Sequence, residues 1–410
     1  MRISTSALYA TATSQLGTLQ SQLARTQQQL STNKRMLSAA DDPIASARAL
    51  EVTQSQSINA QFATNRQNGR SALTQEETAL TGVQQLIQDV QTTAVAAGSG
   101  INSASDRATY ANEIAGRLED LMALANSSDG NGGYLFSGYK SGTMPFVKTN
   151  AGVEYQGDQG QVQLQVGTAR KVAIGDAGSA VFSNIATGNG AFVTAAGATN
   201  SGTGVVSAGT VSDARLLTGH KYSVAFADVG TPPVSNYTIT DLTTNSTVPP
   251  PPAQAAQPYT SGAPISVGGM NFAVSGVPAT GDAFSVQPSE KQSLFTTLSK
   301  MIDTLRAPAN TASEKQALTD GLAQAGGNLS AALDNVLAVR ASVGSRQKEF
   351  DTLDVAGDEA DVGYTTTLSG LQDLDLVKAI SLFTQQQATL DAAQKSFKSM
   401  SSLSLFNYIG

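Results

Sequence analysis

Hydrophobic positions recur along this chain in threes, fours and sevens. Near the start, Leu16, Leu19, Leu23 and Leu30 carry the spacing of a coiled-coil seam, and the row of sevens continues to Leu37. Asp41-Asp42-Pro43 then interrupts it. An Asp before Pro reads as an N-cap followed by proline at the first helical position, so this break is also a start. The pattern predicts a second helix from there to about Ala97, about 80 Å long at ~1.5 Å per residue. Leu73, Leu80 and Ile87 form one of its rows, and Val83 and Val90 the next. Gly98-Ser99-Gly100 ends it. A third helix, expected to be capped by Ser105, carries Ala111, Ile114, Leu118, Leu121 and Ala125 and stops in the polar run from Asn126 to Gly133.

The last part of the chain mirrors the first. Leu294, Leu298, Met301, Ile302 and Leu305 mark a helix closed by Pro308. Thr311 to Glu314 is a capping box. Behind it Leu322, Leu329, Val336, Val343 and Phe350 stand seven apart. A second break falls near Asp373 and Asp375, and the sevens resume with Leu376, Phe383, Leu390 and Phe397, with Ile380 beside them. If the inner helices pack antiparallel, the two breaks fall side by side. Asp41, Asp42, Pro43, Asp373 and Asp375 would then form a joint between a bundle and an outer arm.

Between the two helical zones the chain is rich in Gly, Thr, Val and Ser. Hairpin signals lie at Tyr134 to Tyr139, at Val162 to Val166, and at Ile265 to Val267 facing Asn271 to Val274 across Gly268-Gly269-Met270. Pro249 to Pro252 has polyproline II character. The expected fold is mainly α with a β-rich insertion: an elongated helical bundle built from both chain ends, a terminal coiled-coil arm and a small central β domain. The expected parts are an arm of residues 1–40 and 373–410, a bundle with a β-hairpin of 41–147 and 287–372, and a surface insertion of 148–286.

Composition narrows the function. Of 410 residues only 14% are charged, against roughly 25% in globular proteins, and the net charge of -7 argues against general nucleic-acid binding. With no cysteine there are no disulfides or thiolate metal sites. No apolar run is long enough to span a membrane, and the first residues do not read as a cleavable signal peptide. A single histidine, His220, removes most catalytic triads and histidine metal clusters. Asp129 begins something like a calcium loop, but Lys140 stands where a bidentate Glu is needed, so a β-turn is the better reading. No catalytic, metal or cofactor site is expected, and no cofactor.

Assembly remains. Leu16, Leu19, Leu23 and Leu30, with Leu376, Ile380, Phe383, Leu390 and Phe397, are expected to need neighbours to be buried. Each large side chain fully buried contributes about 1.5–3 kcal/mol, a strong drive when repeated over many subunits. Alone, such arms are expected to be disordered, because isolated helices are marginal.

Five stretches, in order, resemble a known family: MRISTSALY at the start, Leu30 to Ala45, Gly132 to Lys140, Val339 to Arg346, and Leu403 to Ile409. They are similar to the bacterial flagellar hook-associated protein 3 family, the hook–filament junction proteins, which belong with the flagellins. The resemblance covers residues 1–147 and 288–410, and Val274 to Phe284 in the middle also looks family-like. One departure is Asn33, where the family often has Gly. The resemblance implies a flagellin-like fold, no enzymatic activity, and export by the flagellar type III apparatus through an N-terminal signal. It implies an extracellular place between a hook-associated protein 1 layer and flagellin, beside copies of itself, and a cytosolic export chaperone on Leu376 to Phe397. No nucleic acid and no membrane insertion are expected. The alternatives are flagellin itself, or a surface-binding, adhesin-like role of the central domain.

Overall fold

The computed structural model describes residues 5–150, 152–229, 234–248 and 256–402. The expected polyproline segment and the family-like stretches at the two termini lie wholly or partly outside the described residues. Among the described residues six α-helices account for the rows of sevens: α1 (Thr5–Thr32), α2 (Pro43–Ala97), α3 (Ala104–Ala125), α4 (Leu294–Arg306), α5 (Ala312–Gln372) and α6 (Leu376–Ser402). The chain divides into two compact units, residues 1–64 with 351–410 and residues 65–350. These divisions fall inside α2 and α5, whereas the expected arm stops at residue 40 and resumes at 373.

In the larger unit the predicted rows are the core. Leu73, Leu80, Val83, Ile87 and Val90 of α2 are fully buried, as are Leu329, Val336, Val343 and Phe350 of α5. α3 and α4 pack together through Ile114, Leu121, Leu298 and Leu305, all buried. α5 opens with the expected box: Thr311 Oγ1 accepts the Glu314 N–H at 3.2 Å, and Glu314 accepts the Thr311 N–H at 2.9 Å. α3 is capped two residues earlier than expected, because Ser103 and Asp106 satisfy each other's backbone donors. Ser103 has the extended backbone an N-cap requires, and Ser105 already lies inside the helix.

The strands between Phe146 and Gln292 are antiparallel. The main sheet runs Ser246–Val248, Val234–Asp241, Tyr222–Val229, Ala283–Pro288, Phe192–Ala196. A second sheet, built on Pro264–Val267 and Met270–Ser275, shares its core: Val224, Phe226, Phe272, Val274, Phe284 and Val286 are all buried. Gly268 and Gly269 alone make the turn of that hairpin, both at positive φ, and Met270 pairs with Val267. The expected strand at Tyr134 to Tyr139 does not form. Gly132 and Gly138 take positive φ there, and Asp158 accepts the Tyr139 N–H, so the segment coils instead of extending. Its Phe136 joins Phe146, Phe182 and Phe295 in an aromatic cluster with ring centroids 4.9–6.1 Å apart.

Candidate assembly surfaces

In the smaller unit, Tyr9, Ala12, Leu16, Leu19, Leu23, Thr26 and Leu30 make the covered side of α1, at spacings of three and four. Ala379, Phe383, Gln386, Leu390, Ala393, Phe397 and Met400 make the covered side of α6 with the same period. The two helices pack antiparallel, and the Tyr9 and Phe397 rings meet edge-on at 5.8 Å. Seven of the nine residues expected to await a neighbour therefore lie on a seam inside the chain: Leu16, Leu19, Leu23, Leu30, Phe383, Leu390 and Phe397. Each helix supplies the other's first neighbour, and of these seven only Leu390 is buried by it; the other six are half-buried.

That seam is incompletely filled. Ala12 and Ala393 are too small to close it, and a groove of about 500 Å³ runs beside Leu16, Leu19, Phe397 and Met400. It also carries polar groups. The Thr26 hydroxyl donates to the Gln22 carbonyl of its own helix, and Gln386 Oε1 is buried with no partner among the described residues. Polar groups at such positions fix register at a cost in stability.

Leu376 and Ile380 stand apart from the seam, and both are exposed. Two residues that sequence reasoning missed extend this surface: Val377, 81% exposed, and Leu382. The signal was present, since the apolar residues between 376 and 382 are too many for one helical stripe.

The two breaks lie side by side. Lys34 and Asp373 form an isolated antiparallel bridge, the Arg35 N–H donates to the Gln372 carbonyl at 2.7 Å, and the Leu374 N–H to the Asn33 carbonyl at 3.2 Å. Asn33 leaves α1 at φ 51°, the left-handed region where Gly is at ease and Asn is the best-tolerated substitute, which explains how the chain turns here without glycine. Each aspartate has a distinct task. Asp41 Oδ2 accepts the Leu37 and Ser38 N–H groups, while its Oδ1 meets Arg25 at 2.6 Å. Asp42 Oδ1 caps α2 through the Ala45 N–H, with Pro43 as the first helical residue, and Arg35 sits 3.3 Å from the same carboxylate. Asp375 caps α6 through the Lys378 N–H. Asp373 accepts the Ser369 hydroxyl and faces Lys34 at 3.7 Å. Backbone N–H groups, foremost those of Ser38, Ala45 and Lys378, hold the Asp41, Asp42 and Asp375 carboxyls below the usual carboxylate range.

Elsewhere the candidate chemistry resolves into structure. Asp129 Oδ1 accepts the N–H groups of Asn131 and Gly133, a turn. His220 Nδ1 lies 2.7 Å from Asp241, whose carboxylate also accepts the Thr243 and Thr244 N–H groups. Among the described residues no group of three potential metal ligands forms, and no helix is long and apolar enough to cross a membrane.

Comparison with known proteins decides the family. The profile of the bacterial flagellin N-terminal helical region matches residues 3–141, and that of the flagellar hook-associated protein 1 D2-like domain matches residues 195–288. Flagellar hook-associated protein 3 of Salmonella typhimurium is 29% identical over 407 residues, 99% of both chains. A crystal structure of flagellar hook associated protein-3 from Legionella pneumophila is 32% identical, with TM-score 0.73, over 78% of this chain and 98% of that one. The chain belongs to the flagellar hook-associated protein 3 family. A crystal structure of Xanthomonas campestris FlgL agrees, with 31% identity, TM-score 0.67, and coverage of 78% of this chain and 99% of that one. Membership makes the chain a structural component of the flagellum, and long N- and C-terminal helices with an antiparallel β domain between them in sequence fit a flagellin-like fold.

Proposed function

We propose that this chain is the hook–filament junction protein of its flagellum, seated between the hook-associated protein 1 layer and flagellin, outside the cell. The observation that carries the reading is the end-to-end match to hook-associated protein 3. A filament subunit is the weaker reading, since the curated relatives that match over 99% of the chain are hook-associated protein 3 of two bacteria. Export through the flagellar type III apparatus, with a cytosolic chaperone holding Leu376 to Phe397 beforehand, suits a seam with small residues and unsatisfied polarity. Such a seam opens at low cost, and in an isolated subunit α1 and α6 spend much of their time unpaired. In the assembled layer, Leu376, Val377 and Ile380 face a neighbouring subunit, and the groove beside Leu16 and Phe397 receives its side chains. The joint of Asp41, Asp42, Pro43, Asp373 and Asp375 sets the direction of the arm.

Deleting the gene tests this. The expected phenotype is intact hooks, no filaments, and unpolymerised flagellin in the medium. Loss of filaments with no excreted flagellin would point to the filament subunit instead.

A further inference from the structure

We propose that the cleft between the strand Phe192–Ala196 and the start of α5 binds a protonated primary amine on a short alkyl chain, with Asp320 as its counter-ion. The cleft encloses about 410 Å³. It lies within the compact unit of residues 65–350. Asp320 stands in its wall, half-buried, and Gln316 Nε2 donates to its Oδ1 at 3.0 Å. Among the described residues its other oxygen has no hydrogen-bond partner and no cation pairs with it. Burial pushes this carboxyl above the usual range, and Gln316 only partly offsets that. The wall removes part of this carboxylate's hydration, and a cation arriving from the open side replaces water on its free oxygen and recovers that part.

The rest of the wall selects the cation. It contains no Lys or Arg, which argues against an anion, and no aromatic ring, which argues against a cation–π cage or a stacked sugar. Ala195, Ala198, Val206 and Ala317 offer a small apolar lining for an alkyl chain. An ammonium has three donors, and beyond Asp320 the lining residues Gln324 and Ser207 carry oxygens that can accept them. The cleft is pre-formed. Ser313 Oγ donates to the Asn200 carbonyl at 3.0 Å, and Thr194 Oγ1 to the Ser207 carbonyl at 2.8 Å, tying both walls. The same chemistry belongs to a free alkylamine and to a lysine side chain of another subunit.

The test uses the full chain, with its alanine methyls observed by NMR during titration with n-butylammonium at neutral pH. Expected are saturable shifts at Ala195, Ala198 and Ala317, with affinity on the order of millimolar, about tenfold weaker in Asp320→Asn. No saturable shift, or the same response to 1-butanol, overturns the proposal without any variant. An equal affinity in a folded Asp320→Asn overturns it too. Carbodiimide coupling of Asp320 in intact flagella separates the sources. A link to a neighbouring chain assigns a lysine side chain, and a link to added butylamine alone assigns a free amine. No amine adduct at Asp320 in either setting overturns the proposal.

Discussion

Replacing Glu76 with Gln should flatten the pH dependence of stability of the unit of residues 65–350. Glu76 on α2 is 1% exposed. Its Oε1 accepts the Asp176 N–H at 3.1 Å, and its Oε2 has no partner among the described residues. Asp176 pairs with Arg346 of α5 and accepts a hydrogen bond from Gln161 at 2.7 Å. One guanidinium thus serves two carboxyls. Burial first, and the Asp176 charge second, push the Glu76 carboxyl from 4.5 up to about 8. An acid whose pKa is raised on folding adds stability that is fully present below its unfolded value and is lost as pH rises through the folded one. At ~1.36 kcal/mol per unit, the loss between pH 4.5 and 8 has a ceiling of about 5 kcal/mol. Glutamine imitates the protonated acid at any pH. Urea unfolding followed by circular dichroism should therefore show wild type and Glu76→Gln alike near pH 5. Near pH 9 the variant should be the more stable by a few kcal/mol. Parallel pH profiles would refute the reasoning, and so would a variant already much weaker at pH 5, which would mean that an ionised Glu76 is needed beside Arg346.

Two glycine substitutions should move stability in opposite directions. A Cβ at Gly326 of α5 meets nothing within 4 Å, so Gly326→Ala should gain up to about 1 kcal/mol of helix propensity, whereas a Cβ at Gly69 of α2 meets Phe350 at 2.8 Å, so Gly69→Ala should lose about 1–3 kcal/mol in the same urea assay. Replacing exposed Val377 and Ile380 with Asp should abolish incorporation into flagella, scored by blotting sheared filaments, while the helical circular dichroism of the purified chain stays unchanged; normal incorporation would remove this surface from the assembly account.

Much of the helical framework was legible because it is built from local repetition. The rows from Leu73 to Val90 and from Leu322 to Phe350 are the buried faces of α2 and α5. Asp42, Pro43, Thr311 and Glu314 declared helix starts through chemistry contained within four residues. What could not be read depends on residues far apart in the chain. Phe136, Phe146, Phe182 and Phe295 come from four separate segments, and no spacing announces their cluster. Glu76, Asp176 and Arg346 likewise meet across 100 and 170 residues. The candidate assembly surface was half legible. Periodicity identified Leu376, Phe383, Leu390 and Phe397 as one row. It could not say that α1 covers three of them and leaves Leu376 at the first turn exposed, because that depends on where the partner helix ends.

The proposed place of this protein is a thin layer at one end of the filament. The natural chain has no cysteine, so a single cysteine at an exposed position of the β domain, Thr244→Cys, can carry a gold label specific to this protein. Electron microscopy of labelled intact flagella should show one band of gold at the boundary between hook and filament. Gold distributed along the filament, or none on flagella whose subunit is expressed and exported, would contradict the account.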